Sequence, residues 1–350
     1  MSDRVPSKGL EPSKTVAAEA SPGSRTSRGQ GLLLRIALDR PLLLIFLIAV
    51  VIVLVSIVKP TTYPTLANLQ VVLLDTAQTG ILAVGMMILL IAGMFDLSIG
   101  GILAFSGIIA GMAAKDWGMP PLIAFLFGCG WGTLLGILNG FLVTKVRINA
   151  LIATLATVSI FRGCLQLVSG AGVINIGHGY TIFGQTQIGI PDVFEPYSPF
   201  WFMAVIVVLF AFLVGRTRFF RQYYYIGGNP RAAKLSGINV DRMVWFAFIL
   251  MGFLAGLAGA LLASRLNTAV VLAGSGVELK TITAVVLGGA SLAGGVGRIS
   301  GAFLGVLFMA LIQNAMIILG LNPFYQQIVV GLVLLVAVGL DQYAQARRRV

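Results

Sequence analysis

Pro41-Leu-Leu-Leu-Ile-Phe-Leu-Ile-Ala-Val-Val-Ile-Val-Leu-Val-Ser-Ile-Val58 carries no charge and a single hydroxyl. Crossing the hydrocarbon of a bilayer takes about 20 apolar residues in a helix. This stretch nearly supplies them, and its proline suits a first helical position. The pattern recurs along the chain. Apolar runs at 41–58, 76–93, 101–114, 122–144, 150–168, 200–214, 244–263, 281–294, 300–319 and 324–340 predict ten helices in an all-α, polytopic transmembrane bundle. The third and eighth runs are short, so each is expected as a half-helix or a tilted segment. From 281 to 340 the only charge is Arg298.

Composition agrees. The 350 residues are 58% hydrophobic and 10% charged, with a mean hydropathy of +0.97. A soluble domain carries roughly 25% charged residues, so this chain has too few to cover a water-facing surface. Lipid is the solvent that suits it. Residues 1–40 are expected to be a disordered cytoplasmic tail, since Met1 to Gln30 are rich in Ser, Gly, Pro, Ala and charge with no apolar period. They precede the first apolar run by too far to be a cleavable signal peptide. Residues 41–341 form the membrane domain, and 342–350 a basic cytoplasmic tail.

The distribution of charge orients the chain. With the N-terminus in the cytoplasm and ten spans, inside segments hold 19 of the 24 Lys and Arg residues. Outside segments hold four (Lys59, Lys115, Arg265 and Lys280), and Arg162 falls within a span. The positive-inside rule therefore favours ten spans with both termini cytoplasmic. The net charge of +12 and pI near 10.2 then reflect basic loops beside anionic membrane lipid, not nucleic acid.

Small residues recur at helical spacing. Gly132, Gly136 and Gly140 form one stripe, and Gly297, Gly301 and Gly305 another. Gly107 with Gly111 and Gly252 with Gly256 are shorter pairs. Such stripes let membrane helices approach closely. They argue for a compact bundle and are silent on function.

Chemistry is sparse, and its placement is informative. In the longest inside loop, 215–242, Gly227, Gly228, Asn229, Pro230, Arg231, Ala233, Lys234, Leu235 and Gly237 belong to a short self-contained helix. Asn229 suits its N-cap and Pro230 its first position. Gly237 suits the left-handed residue after its end. The alternatives are a docking element for a cytoplasmic partner and a solvated basic turn on the lipid surface. Asp96 stands between two spans. It either caps the helix that follows or, with Ser98 and Asn139, belongs to a translocation path. Arg162 inside the fifth span either pairs structurally or meets substrate. His178 has no evident role, but its loop, 169–198, is long enough to be a docking surface or lid.

Several functions are excluded. Gly289 to Gly294 has the glycine spacing of a phosphate loop, yet Gly295 and Val296 stand where Lys and Ser/Thr are required. ATP binding by this chain is not expected. Cys129 and Cys164 lack metal-ligand spacing, there is no His cluster, and no nucleophile stands beside a base. No catalytic residue, metal site or cofactor is expected. Buried charges are too few for an ion-coupling relay.

Three segments resemble a known family. Gly93-Met-Phe-Asp-Leu-Ser-Ile-Gly is similar to the "GGIDLSVG" signature of ribose/xylose/galactose-type ABC importer permeases. Gly227-Gly-Asn-Pro-Arg-Ala-Ala-Lys-Leu-Ser-Gly-Ile-Asn-Val resembles their cytoplasmic coupling segment. Val286-Leu-Gly-Gly-Ala-Ser-Leu-Ala-Gly-Gly-Val-Gly-Arg resembles their glycine-rich stretch. The likeness runs from about residue 41 to the C-terminus, with Met94-Phe95 departing from the usual Gly-Ile. It implies a multi-pass bacterial inner-membrane subunit, not an enzyme, that forms the path for a monosaccharide. The implied partners are a second permease subunit (identical or paralogous), cytoplasmic ATP-binding subunits and a periplasmic substrate-binding protein. A permease for nucleosides, branched-chain amino acids or a furanose signal is the alternative within the superfamily. An ion-coupled transporter is the alternative outside it.

Overall fold

The computed structural model describes residues 40–348 apart from 171 and 192. The expected N-terminal tail, up to residue 39, lies outside the described residues. Among those described there are thirteen α-helices: α1 (Arg40–Val58), α2 (Leu66–Ile91), α3 (Ile99–Lys115), α4 (Pro121–Thr144), α5 (Ala150–Ser169), α6 (Ile182–Gln185), α7 (Ser198–Arg216), α8 (Arg218–Gly228), α9 (Pro230–Leu235), α10 (Val240–Leu266), α11 (Val277–Leu287), α12 (Ile299–Ile318) and α13 (Phe324–Arg348). Ten of them coincide with the ten apolar runs. Seven are long and apolar enough to cross a membrane: α1, α2, α4, α5, α7, α10 and α12. The chain is a multi-pass membrane protein.

The short elements are short for physical reasons. At 1.5 Å per residue, the 11 residues of α11 reach about half the ~30 Å hydrocarbon thickness. The eighth run was expected over 281–294, but the helix stops at Leu287. Beyond it, Gly289, Gly294 and Gly295 all take positive φ, a left-handed backbone that ends a helix. The second run was expected to begin at 76. Its helix starts ten residues earlier because Thr65 accepts a hydrogen bond from the Asn68 amide and caps it. Asn68, Gln70 and Asp75 interrupt the apolar run without breaking the helix. α13 continues to Arg348, into the stretch expected as tail.

α2, α3 and α10 form the buried centre, while α1, α5 and α7 surround it. The outer helices expose apolar side chains such as Leu54, Val208 and Phe212, as lipid-facing helices must. The glycine stripes set the closest approaches. A Cβ on Gly132 would lie 2.5 Å from the Gly256 Cα and 2.6 Å from the Gly252 carbonyl oxygen, so the stripes of α4 and α10 meet each other. Gly140 extends that seam against Trp245. Gly301 and Gly305 face the Gly288 and Ala284 carbonyls of the α11 segment. Gly297 departs from its expected stripe. α12 begins at Ile299 behind an extended Arg298, so Gly297 sits in the loop, against Met87 and Ile91 of α2.

At the end of the bundle opposite α8 and α9, β1 (Val173–Asn175) pairs antiparallel with β2 (Thr268–Val270), Ile174 facing Ala269. The 169–198 loop is fastened there. Ser264 donates from Oγ to the Tyr180 carbonyl at 2.5 Å, and Gln185 Nε2 donates to the Arg265 carbonyl at 2.8 Å. The His178 side chain lies outside the described ones.

Candidate coupling junction and translocation region

α9 is built as its sequence dictates. The Asn229 side chain accepts from the amides of Arg231 and Ala232, both at 3.1 Å, and Pro230 opens the helix. Gly237 closes it at φ +83°, its amide bonded to the Lys234 carbonyl. Ala233 is buried beneath, while Arg231, Lys234 and Leu235 point outward. Leu235 is 90% exposed, an apolar side chain offered to water or to a partner.

Sequence reasoning missed α8, reading 218–225 as loop and assigning Gly227 and Gly228 to the short helix that follows. Both end α8, because the chain turns at the extended Asn229. Its signal was the apolar spacing Phe220, Tyr223, Ile226, which buries one face. Tyr223 donates from its hydroxyl to the Met243 carbonyl at 3.0 Å. Tyr224 donates to the Gly297 carbonyl at 2.8 Å. Burial pushes the Tyr224 hydroxyl up from its ordinary value, against the pull of Arg298.

These contacts bring together three segments far apart in sequence. Gly227, on α8, sits with its α-carbon against the Ile91 carbonyl and the Gly295 amide, and a Cβ there would meet both. Gly295 donates from its amide to that same Ile91 carbonyl at 2.8 Å. A Cβ on Gly294 would fall 2.9 Å from the Gly227 carbonyl oxygen and 3.1 Å from the Gly93 Cα. The end of α2, the α8–α9 corner and the glycine loop after α11 therefore meet backbone to backbone.

From this junction the chain turns through Gly93 (φ +75°) to Asp96, which is fully buried. Asp96 Oδ1 accepts from the Ser98 amide at 2.8 Å and the Ser98 hydroxyl at 2.6 Å. Asn139 Nδ2 on α4 donates to Ser98 Oγ at 2.7 Å. Asp96, Ser98 and Asn139 thus form one buried chain of hydrogen bonds tying the entry to α3 onto α4. Asp96 Oδ2 and Asn139 Oδ1 make no hydrogen bond.

A second polar group lies where α3 and α11 begin. A Cβ on Gly100 would stand 2.6 Å from Glu278 Oε2 and 3.4 Å from Arg162 Nη2, and would meet the Gly274 carbonyl. Glu278 Oε2 is buried without a hydrogen-bond partner. Arg162 is half-buried, and its neighbours Ile160, Gly163, Cys164 and Gln166 on α5 are exposed. Glu278 carried no signal in the sequence beyond its charge beside an apolar run. Nearby, Arg265 Nη2 bonds Asp75 Oδ1 at 3.1 Å. Among the described residues no group of three His, Cys, Asp or Glu side chains could hold a metal.

This arrangement fits a class, a membrane permease, with a short exposed helix joined backbone to backbone to the loops beside its short interior helices. Residues 68–338 match the family model described as branched-chain amino acid transport system / permease component. The chain belongs to that family. It is 40% identical over 302 residues to the ribose import permease protein RbsC of Bacillus subtilis, covering 85% of this chain and 91% of that one. The RbsC of Escherichia coli K12 is 36% identical over 298 residues (85% and 92% covered). The L-arabinose transport system permease protein AraH of Escherichia coli K12 is 35% identical over 293 residues (82% and 86%). No solved structure matches the chain.

Proposed function

We propose that this chain is the membrane-spanning subunit of an ATP-binding-cassette importer and forms the path for a monosaccharide delivered by a periplasmic binding protein. Its location is the bacterial inner membrane, with both termini and the α8–α9 corner in the cytoplasm. The observation that carries the reading is the seat of Gly227 on the Ile91 carbonyl and the Gly295 amide. It joins the exposed docking helix to both loops that lead into the bundle's short helices.

In operation, Arg231, Lys234 and Leu235 dock on a cytoplasmic ATP-binding subunit. Closure of that partner displaces α9 and, through α8, moves the 92–98 turn and the glycine loop. α3 and α11 begin or end at those loops, so their opposite relation at Gly100 and Glu278 changes with them. A bistable bundle biased by partner closure is alternating access by population shift. The path runs between two copies, or a copy and a paralogue, along α5. An arginine on a helix face that points to lipid costs several kcal/mol, so the half-exposed Arg162 face is covered by protein or water.

The ribose and L-arabinose relatives favour a pentose as cargo. The family description favours a branched-chain amino acid as the second reading. Proteoliposomes holding this chain, its ATP-binding partner and its binding protein should accumulate labelled ribose only when all three and ATP are present. Leucine uptake in place of ribose would support the second reading. Uptake by the chain alone, driven by an ion gradient, would refute both.

A further inference from the structure

We propose that the recess between the end of α7, the outer face of α8 and the start of α12 binds the headgroup of an anionic phospholipid. The recess is a cavity of about 440 Å³, within the range of about 300–1,000 Å³ typical of small-molecule sites. Its floor is apolar, made by Ala211 and Val214 at the end of one span and Ile299 at the start of another. Its rim carries two guanidinium groups, Arg221 and Arg298. Among the described residues neither arginine has a carboxylate within ion-pair distance. The 215–242 segment that supplies Arg221 holds six basic residues and one acidic residue, Asp241, so the surroundings are cationic.

Two guanidinium forks suit the oxygens of any phosphate, and two further features point to a lipid rather than to a free anion. Tyr224 and Tyr225 complete the wall, and amphipathic rings of this kind settle at headgroup level. Val208 and Phe212, one helical turn before the lining residues Ala211 and Gly215 on α7, are 69% and 62% exposed. Acyl chains leaving the headgroup would lie on that apolar face. A soluble phosphate ligand would have no use for it.

The site touches the coupling junction. Arg298 follows Gly297, whose carbonyl holds the Tyr224 hydroxyl. A phosphate between Arg221 and Arg298 would clasp α8 to the start of α12 across that bond. Lipid binding itself does not depend on the transport reading.

The test uses the full chain in detergent, titrated with phosphatidylglycerol, phosphatidylcholine of the same acyl chains, or inorganic phosphate, and read by native mass spectrometry. Retained phosphatidylglycerol should exceed phosphatidylcholine at least tenfold, and Arg221→Gln with Arg298→Gln should remove that preference. Arg231→Gln, on the outer face of α9, should leave it unchanged. Equal retention of the two lipids, full preference in the double variant, or displacement by equimolar inorganic phosphate would each overturn the proposal. A photoreactive phosphatidylglycerol on the wild-type chain gives a measurement independent of the variants' folding. Labelling should fall on 211–225 and 297–300, and labelling confined elsewhere refutes the site.

Discussion

Gly227 and Gly228 are adjacent, identical in type and on the same helix, yet substitution should affect them in opposite ways. A Cβ on Gly227 would come closer to the Ile91 carbonyl oxygen and the Gly295 amide than the 3.0 Å that real Cβ atoms respect, and both atoms belong to backbone. A Cβ on Gly228 would meet nothing within 4 Å. Carbon and carbonyl oxygen rest at about 3.3–3.6 Å, so Gly227→Ala must push α8 away from α2 by about 1.5 Å. No side chain is there to yield. Overpacking of this kind costs about 1–3 kcal/mol, and the displacement breaks the Tyr224 bond to Gly297 as well, adding about 1 kcal/mol. Gly228→Ala removes only backbone freedom and should be neutral or stabilising by up to about 1 kcal/mol. The assay is ATP-driven sugar uptake set against ATPase activity in the reconstituted complex, with thermal unfolding of the chain in detergent alongside. Gly227→Ala should keep ATPase activity, lose most uptake and lower the unfolding midpoint, whereas Gly228→Ala should match wild type in all three. Wild-type uptake in Gly227→Ala, or equal damage from the two substitutions, would refute the junction as the route of coupling.

Asn229→Ala removes an acceptor for two amides and should cost α9 about 1 kcal/mol. Weaker co-purification of the ATP-binding subunit, restored by Asn229→Asp, is the expected result. Asp96→Ala deletes both bonds to Ser98, each worth about 1.5–3 kcal/mol when a charged acceptor is involved. Asp96→Asn keeps an oxygen for them, so thermal unfolding in detergent should show a large drop for the alanine variant and a small one for asparagine. Gly252→Leu should stop α4 and α10 from packing, since even a Cβ would collide with the Gly132 carbonyl and lie 2.6 Å from the Gly136 Cα. Loss of folded protein on size exclusion should follow, with Gly130→Leu, whose Cβ meets nothing within 4 Å, unaffected.

The spans were legible because lipid imposes one dominant requirement, apolar length, and 41–58 or 300–319 meet it without interruption. Capping chemistry made the ends of α9 legible, Asn229 before it and Gly237 after it, while Gly227 and Gly228 belong to α8 instead. What the sequence hid was polar structure inside the bundle. Asn68, Gln70 and Asp75 read as an interruption, yet they lie on α2, where tertiary partners such as Asn314, bonded to Asn68 at 2.8 Å, receive them. Glu278 and Arg162 are far apart in sequence and converge beside Gly100 only through the tertiary fold. α8 was hidden by its five aromatic residues and by Arg218, Arg221 and Gln222 among them, which look like loop until its buried face is seen. The meeting of Gly93, Gly227 and Gly294 had no local signal at all, since a long-range backbone contact leaves only glycines behind.

Under the proposed function, that last contact is the means by which a helix of six residues would steer a bundle. Side chains between two elements absorb small displacements by changing rotamer or sliding, so a push at one side fades before it reaches the other. At this junction the touching groups are carbonyls, amides and α-carbons, and they have no such freedom. A shift of α8 becomes a shift of Ile91 and Gly295 almost without slack. The 92–98 turn then cannot move alone, because Asp96 grips Ser98 and Asn139 holds Ser98 from α4. The start of α3 is tied to the C-terminal third of α4, and α4 is locked in turn to α10 along the seam of Gly132, Gly136, Gly252 and Gly256. α5 packs on α3 but shares only a light contact with α4, so motion of the core is taken up at its boundary with α5. In the proposed transport cycle the Arg162 face, with Glu278 beside it, is where that boundary would open and close.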